Sequence, residues 1–295
     1  MMKTRILGKD LKVSAVGLGC MGMTHASGAP ADVKEMTELV GQALKHYRDK
    51  IVLATKCGVQ HKGDHLEMDS RPETIRKSVE GSLKKLQTDH IDLYYQHRID
   101  PKVEPEEVAG AMSELIKEGK ILHWGISEVD EEYLRRAHKV CPVTAIQNRL
   151  SMMYRDYEKL FPVLEELQVG FVAFSPLANG FLTACYKDTS QFEQSPADFR
   201  SSMPQFTKEG VEQNADLLEL IQTKAKEKDA TPAQISLAWM LAKRPYIVPI
   251  PGSRTLSRLQ ENLGAAEIVL TKEEVAQIDD ALDHMTMSQV FGGHR

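Results

Sequence analysis

Short runs of β-branched and aliphatic residues alternate with amphipathic helical stretches almost from one end of the 295-residue chain to the other, and this alternation limits the fold more than any other feature. A strand that leads through a helix into the next strand returns parallel to the first, so the pattern asks for a parallel sheet wrapped by helices. The strand runs are residues 14–20, 51–56, 91–97, 121–127, 143–148, 170–175 and 247–251, seven in all. Helix starts are legible between them. Ser70-Arg71-Pro72-Glu73 has the spacing of a serine cap with a glutamate three residues on, and Ile75, Val79, Leu83 and Leu86 then mark a buried stripe. Thr231-Pro232 with Gln234, and Thr271 with Glu274, open two later helices by the same chemistry. Ahead of the first run, residues 4–7 and 11–13 flank Gly8-Lys9-Asp10, which suits a hairpin closing a barrel floor.

The length fits one β/α-barrel domain over residues 1–295. The longest stretch without periodicity, 178–214, has the composition of a covering loop. A net charge of -5 gives no broad attraction for nucleic acid or an anionic membrane, so any phosphate site has to be local. The four cysteines, Cys20, Cys57, Cys141 and Cys185, form no C-x-x-C pair, which argues against a disulfide framework or a zinc site and for a reduced, cytoplasmic setting. No run approaches the ~18 apolar residues of a membrane span.

Lys56 closes one strand run and His97 another, and the C-terminal ends of barrel strands form the mouth where active sites are built. Singly, each also fits a plainer role, a solvated lysine and a satisfied half-buried histidine. Ile250-Pro251-Gly252-Ser253-Arg254, followed by Arg258, Glu261 and Asn262, sets two guanidinium groups and a hydroxyl where the last strand feeds a helix N-terminus. Such a start favours anions and makes a phosphate site, although a solvated helix start explains the same residues. Phe174-Ser175-Pro176-Leu177 with Gly180 combines a flat ring, a hydroxyl and close-approach backbone at another strand end, which also reads as a simple turn. Gly17-Leu18-Gly19-Cys20-Met21-Gly22 lacks the G-x-G-x-x-G spacing and an acidic ribose partner, so it is no Rossmann fingerprint.

Taken in order, Val-Gly-Leu-Gly-Cys-Met-Gly-Met, Ala-Thr-Lys, Asp-Leu-Tyr-Tyr-Gln-His-Arg-Ile-Asp, Trp-Gly-Ile-Ser, Phe-Ser-Pro-Leu-Ala-Asn-Gly and Ile-Pro-Gly-Ser-Arg with its Glu-Asn resemble the aldo-keto reductase family over nearly the whole chain. The resemblance implies a parallel (β/α)8 TIM-type barrel and NADP(H)-dependent reduction of a small-molecule aldehyde or ketone, with neither nucleic acid nor membrane as partner. By it, Lys56 is the catalytic lysine that lowers a tyrosine pKa and His97 the histidine that orients the carbonyl. Ser127 and Gln147 hold the nicotinamide carboxamide and Phe174 stacks on its ring. Ser175, Leu177 and Gly180 follow the pyrophosphate. Gly252, Ser253, Arg254, Arg258, Glu261 and Asn262 surround the adenosine and its 2'-phosphate, the two arginines favouring NADP(H) over NAD(H). Cys20 and Met21, from the first matching piece, join the cofactor set, and 178–214 folds over it.

One departure stands out. A family member continues from the helix near Asp32 into a second strand with Asp-Thr-Ala and a Tyr-Gly pair before reaching Asn-Glu-Glu-Leu, whereas here Lys34-Glu35-Met36 runs directly into Thr37-Glu38-Leu39. About one βα unit is absent, in line with seven strand runs rather than eight. Val33, Met36, Val40, Ala43, Leu44 and Tyr47 share a helical face across the junction, so one continuous helix is expected there. The barrel is expected to gain two open edges and to lose stability. The absent unit carries the Asp and Tyr of the catalytic set. Tyr95 shares the strand parity of His97 but lies about one layer deeper, a poor substitute for the missing donor. The expected function is therefore impaired carbonyl reduction, the alternative being a nicotinamide-binding regulatory or sensor protein.

Overall fold

The computed structural model describes residues 2–21, 40–62, 65–186, 188–192 and 198–290. Residues 33–39 of the expected junction helix lie outside them. Of the remainder, 40–44 are helical and lead into a 3-10 turn, Lys45–Lys50, that buries no side chain, and Tyr47 is exposed rather than on a buried face.

Two hairpins flank the start of the sheet. β1 (Thr4–Leu7) and β2 (Leu11–Ser14) pair antiparallel, while β4 (Val59–Lys62) pairs with β5 (His65–Met68) just after β3 (Ala54–Cys57). The second hairpin has no counterpart in the seven expected runs. β3 then begins a parallel series with β6 (Ile91–Gln96), β7 (Ile121–Ser127), β8 (Ala145–Arg149), β9 (Gly170–Phe174) and β10 (Ile247–Pro249). The sheet order is β10-β9-β8-β7-β6-β3, each pair parallel.

Six of the seven expected runs thus form one parallel sheet. The seventh, 14–20, enters it by bridging: Gly17 N donates to Pro249 O at 3.0 Å, Gly19 N donates to Pro251 O at 3.1 Å, and Gly19 and Gly252 form a parallel bridge. Its glycines permit this close approach, since a Cβ on Gly19 would stand 2.6 Å from Ile250 O.

Helices cover the outer face: α1 (Pro72–Leu86), α2 (Pro105–Lys117), α3 (Glu131–Val140) and α4 (Phe161–Leu167) intervene between strands, α5 (Lys208–Gln213), α6 (Ala215–Glu227) and α7 (Pro232–Lys243) precede β10, and α8 (Leu256–Gly264) and α9 (Lys272–His284) follow it. Thr231 with Gln234 and Thr271 with Glu274 form the two expected reciprocal caps. Ser70 does not. α1 starts at Arg71 without a side-chain cap, because Ser70 is buried, its N–H donating to Asp100 and its hydroxyl accepting from Gln96.

Two apolar layers result. Outside the sheet, the large cluster around Ile91, Trp124, Phe171 and Trp239 joins strands to helices. Inside it, Leu93, Tyr95, Ala145, Val172 and Val248 meet Leu7 and Leu11, so the β1–β2 hairpin fills the barrel floor. Arg5 fastens that hairpin, donating to the carbonyl oxygens of Leu241 and Arg244 at the open end of α7 and of Ile247 at the start of β10.

Candidate active site

Register decides which side chains face the barrel interior. Lys56 pairs with Tyr95, an interior residue, so Lys56, Tyr95 and, two residues on, His97 point inward. Ser127 pairs with Gln147, and Gln147 with interior Val172, which puts both polar residues on the same inner wall. Phe174 ends β9 beside its partner Arg149. Because the strands are parallel, these five candidates, Lys56, His97, Ser127, Gln147 and Phe174, share one rim.

Lys56 and His97 sit in a positive surrounding. His97 N donates to Cys57 O at 2.8 Å, locking the two strand ends together. Burial lowers the Lys56 pKa to about 8, with the Arg98 charge adding to it. Burial lowers His97 to about 3, and Lys56 and Arg98 push the same way, so the imidazole is neutral at physiological pH. Arg98 was not anticipated from sequence. Its Nη1 donates to His97 O at 2.6 Å and to Ser127 Oγ at 3.3 Å, and the signal for it was its place directly after the candidate histidine.

Next along the wall, Ser127 Oγ donates to Gln147 O at 2.8 Å. Gln147 is buried, and its Oε1 accepts no hydrogen bond from any of the described residues. The Arg149 guanidinium lies 4.7 Å from the Tyr154 ring centroid and 5.8 Å from that of Phe174. After Phe174 the chain turns through left-handed backbone at Ser175, Ala178, Asn179 and Gly180, of which Ser175 and Ala178 are residues that favour this region poorly. Ser175 Oγ donates to Asn179 Oδ1, and Gly180 N donates to Leu177 O, so Ser175, Leu177 and Gly180 belong to one compact turn.

The phosphate candidates gather at the start of α8. Thr255 is its true cap, accepting from Arg258 N, which the sequence pattern did not single out. Asn262 Nδ2 donates to Ser253 Oγ at 2.9 Å, and Arg258 donates to Glu261 at 2.7 Å. Against the raising effect of burial, hydrogen bonds from Arg200 hold the carboxyl pKa of Asp198, a buried residue of the 178–214 segment, below its ordinary value, with a smaller contribution from the Arg254 charge, and Arg258 Nη2 stands 3.9 Å from Cys185 Sγ, so that segment reaches the same helix start. Gly252 borders Gly19 through the bridge, which brings exposed Cys20 and Met21 alongside. Among the described residues no helix is long and apolar enough to cross a membrane.

Fold and rim together define the class: an α/β protein of the β/α-barrel type whose polar residues gather at the C-terminal mouth of a parallel sheet. The aldo/keto reductase family model matches residues 33–283, and the chain belongs to that family of oxidoreductases. It is 35% identical to probable aldo-keto reductase 1 of Glycine max, over 97% of this chain and 89% of that one. It is 37% identical to an aldo-keto reductase of Strobilurus tenacellus, over 94% and 91%. Both alignments, of 317 and 312 positions, are longer than this chain, so each relative carries residues without a counterpart here. A glycerol dehydrogenase from Gluconobacter oxydans superposes with a TM-score of 0.86 at 26% identity, over 99% of this chain and 98% of that one.

Proposed function

We propose that the chain binds NADP(H) along this rim and is a carbonyl reductase by descent, turning over slowly because its proton-donating group is absent. Gln147 carries the cofactor half of this reading. A buried carbonyl oxygen without a donor is costly, and beside Ser127 at a barrel mouth it suits a ligand with amide groups of its own. The residues fit the group end to end. Ser127 and Gln147 would hold the carboxamide, Phe174 would stack on the ring, and the turn with Ser175, Leu177 and Gly180 would line the pyrophosphate. Gly252, Ser253, Glu261 and Asn262 would surround the adenosine, with Cys20 and Met21 alongside. Arg254 and Arg258, at a helix start that already favours anions, would take the 2'-phosphate, and 178–214 would cover the whole. Bound there, the cofactor would supply a hydride to an aldehyde or ketone. Neutral His97 would donate an N–H to the carbonyl oxygen.

The impaired half rests on Lys56. Burial and Arg98 both lower its pKa, and among the described residues no carboxylate opposes them. The inward tyrosine nearest in register, Tyr95, has its pKa raised by burial and lies against Gln147. A lysine so placed has no activated tyrosine to serve. Alignments longer than the chain itself support an internal loss.

Fluorescence titration with NADPH and NADH, together with a carbonyl-reduction assay, tests both halves. NADPH should bind more tightly than NADH, and Arg254→Ala or Arg258→Ala should narrow that difference. Turnover should fall roughly 10²- to 10⁴-fold below a relative with the complete catalytic set, the usual contribution of a general acid. Rapid turnover by the 295-residue chain would sink the impairment, and failure to bind NADPH would sink the cofactor. Sequencing the gene across the codons for Glu35 to Glu38 tests the deletion directly.

A further inference from the structure

Among the described residues, positive charge collects on one part of the rim without a carboxylate paired to it. Arg98 follows His97 past the end of β6 and folds across to β7, where its Nη1 donates to Ser127 Oγ at 3.3 Å as well as to His97 O at 2.6 Å. On the other side of β6, Lys56 pairs in register with Tyr95 and points inward. The two cations feel each other's charge, and neither is hydrogen-bonded to a carboxylate. Glu128, whose charge reaches Arg98, uses its oxygens on the backbone N–H of Arg149 and the hydroxyl of Tyr157, both at 3.3 Å.

Ser127 and Phe174 are two of the residues that would hold the nicotinamide, and a guanidinium borders each. Ser127 Oγ donates to Gln147 O, accepts from Arg98, and keeps one lone pair for a carboxamide N–H. The Arg149 guanidinium lies 5.8 Å from the Phe174 ring centroid. The nicotinamide ring is neutral in NADPH and carries a positive charge in NADP+, whereas the phosphates and adenosine of the two forms are identical. Like charges a few side-chain atoms apart on a half-buried rim repel, and solvent screens them only in part.

We infer that this rim discriminates between the redox states of its cofactor, holding NADPH more tightly than NADP+ because Arg98, with Lys56 across β6 adding to it, opposes the charge of the oxidised ring. This rests on the NADP(H) reading above and adds a preference that the 2'-phosphate contacts cannot supply. Arg254 and Arg258 would meet a part common to both forms, so they set how tightly the cofactor binds. Arg98 sets which form binds better. Oxidised cofactor would thus leave the rim more readily than reduced cofactor, which keeps the site loaded with NADPH when both are present.

Calorimetric titration at neutral pH with NADPH and with NADP+ gives the ratio of their dissociation constants, in which contacts common to both forms cancel. For the unaltered chain NADP+ should bind ~5- to 30-fold more weakly, the effect of a unit charge at this range in a partly screened site. Arg98→Gln keeps an N–H donor for Ser127 while removing the charge, and should lower the ratio ~3-fold or more. Arg98→Lys keeps the charge and should keep most of the ratio. Lys56→Met should lower it too, by less, and serves as the neutralising variant should Arg98→Gln not fold. Arg254→Ala should weaken both forms alike and leave the ratio where it was. A ratio near one in the unaltered chain overturns this inference alone, as does a ratio that neither neutralising variant lowers or that Arg254→Ala lowers equally. Failure of the unaltered chain to bind NADPH overturns the cofactor reading, and this inference with it.

Discussion

At the residue scale, Lys56 has the clearest thermodynamic signature. Its pKa falls from the ordinary lysine value of 10.5 to about 8, so in the folded chain it gives up its proton earlier than in the unfolded one. The unfolded state therefore binds more protons between about pH 8 and 10.5, and stability rises with pH across that window. Below it both states are charged and the full cost of burying the ammonium, with Arg98 beside it, is present. Lys56→Met should accordingly raise the melting temperature at pH 7, and the advantage should shrink as pH rises through 8 toward 10.5. A pH series of melts for the two chains checks this, and a lysine in a satisfied ion pair would give the opposite sign. The position of Lys56 was legible because a lysine ending a strand run stands out. Arg98 as a second cation was not, since strand parity says nothing about how a side chain folds back past the end of its strand.

Elements show a similar division between what a local pattern specifies and what packing decides. Thr231 and Thr271 cap their helices as the spacing requires, because a cap needs only residues three apart. Ser70 has the same spacing but is drawn into a buried network with Asp100 and Gln96, residues from a different strand and the loop after it. Partners that distant are invisible to a local reading. The face expected through Ala43 and Tyr47 fails as well: Ala43 is exposed within the helical 40–44, and after 44 the chain tightens into a 3-10 turn whose different periodicity leaves Tyr47 exposed. The floor hairpin was legible from Gly8-Lys9-Asp10, yet what locks it lies far along the chain. Leu7 enters the barrel over Gly170, where a Cβ would stand 2.4 Å from Leu7 Cδ2 and 3.0 Å from Leu7 Cα. The last of these is backbone and cannot swing away. Gly170→Ala should therefore destabilise the chain by about 1–3 kcal/mol, the usual cost of overpacking, as read by urea denaturation. A change within ~0.5 kcal/mol, typical of an exposed site, would mean that the hairpin does not pack where it is drawn.

For the molecule as a whole, the count of seven strand runs has a physical consequence at one side of the sheet. β3 ends the ladder, pairing with β6 alone among the described residues. Ala54 pairs with Leu93, which is 2% exposed in the barrel interior, yet Ala54 itself is exposed. An inward position on a closed barrel wall would not be. Val52 just before β3 and Leu18 on the bridging segment are likewise exposed, so apolar residues at both ends of the series remain in water. β7 and β8 differ, with a hydrogen-bonded strand on each side and helices behind them. Local opening draws on the elements with fewest ladder bonds and least burial, which predicts a gradient of stability around the sheet. Hydrogen exchange followed by mass spectrometry should find the amides of 54–57 less protected than those of 145–149, by ~10-fold or more, or ~1.4 kcal/mol in opening free energy. Inserting a βα unit from a relative between residues 36 and 37 should raise protection at 54–57 first, because the new strand would pair with β3 before it affects any strand farther round. Equal protection of the two segments in the unaltered chain would mean that the wall is closed, and the expected loss of stability would fall with it.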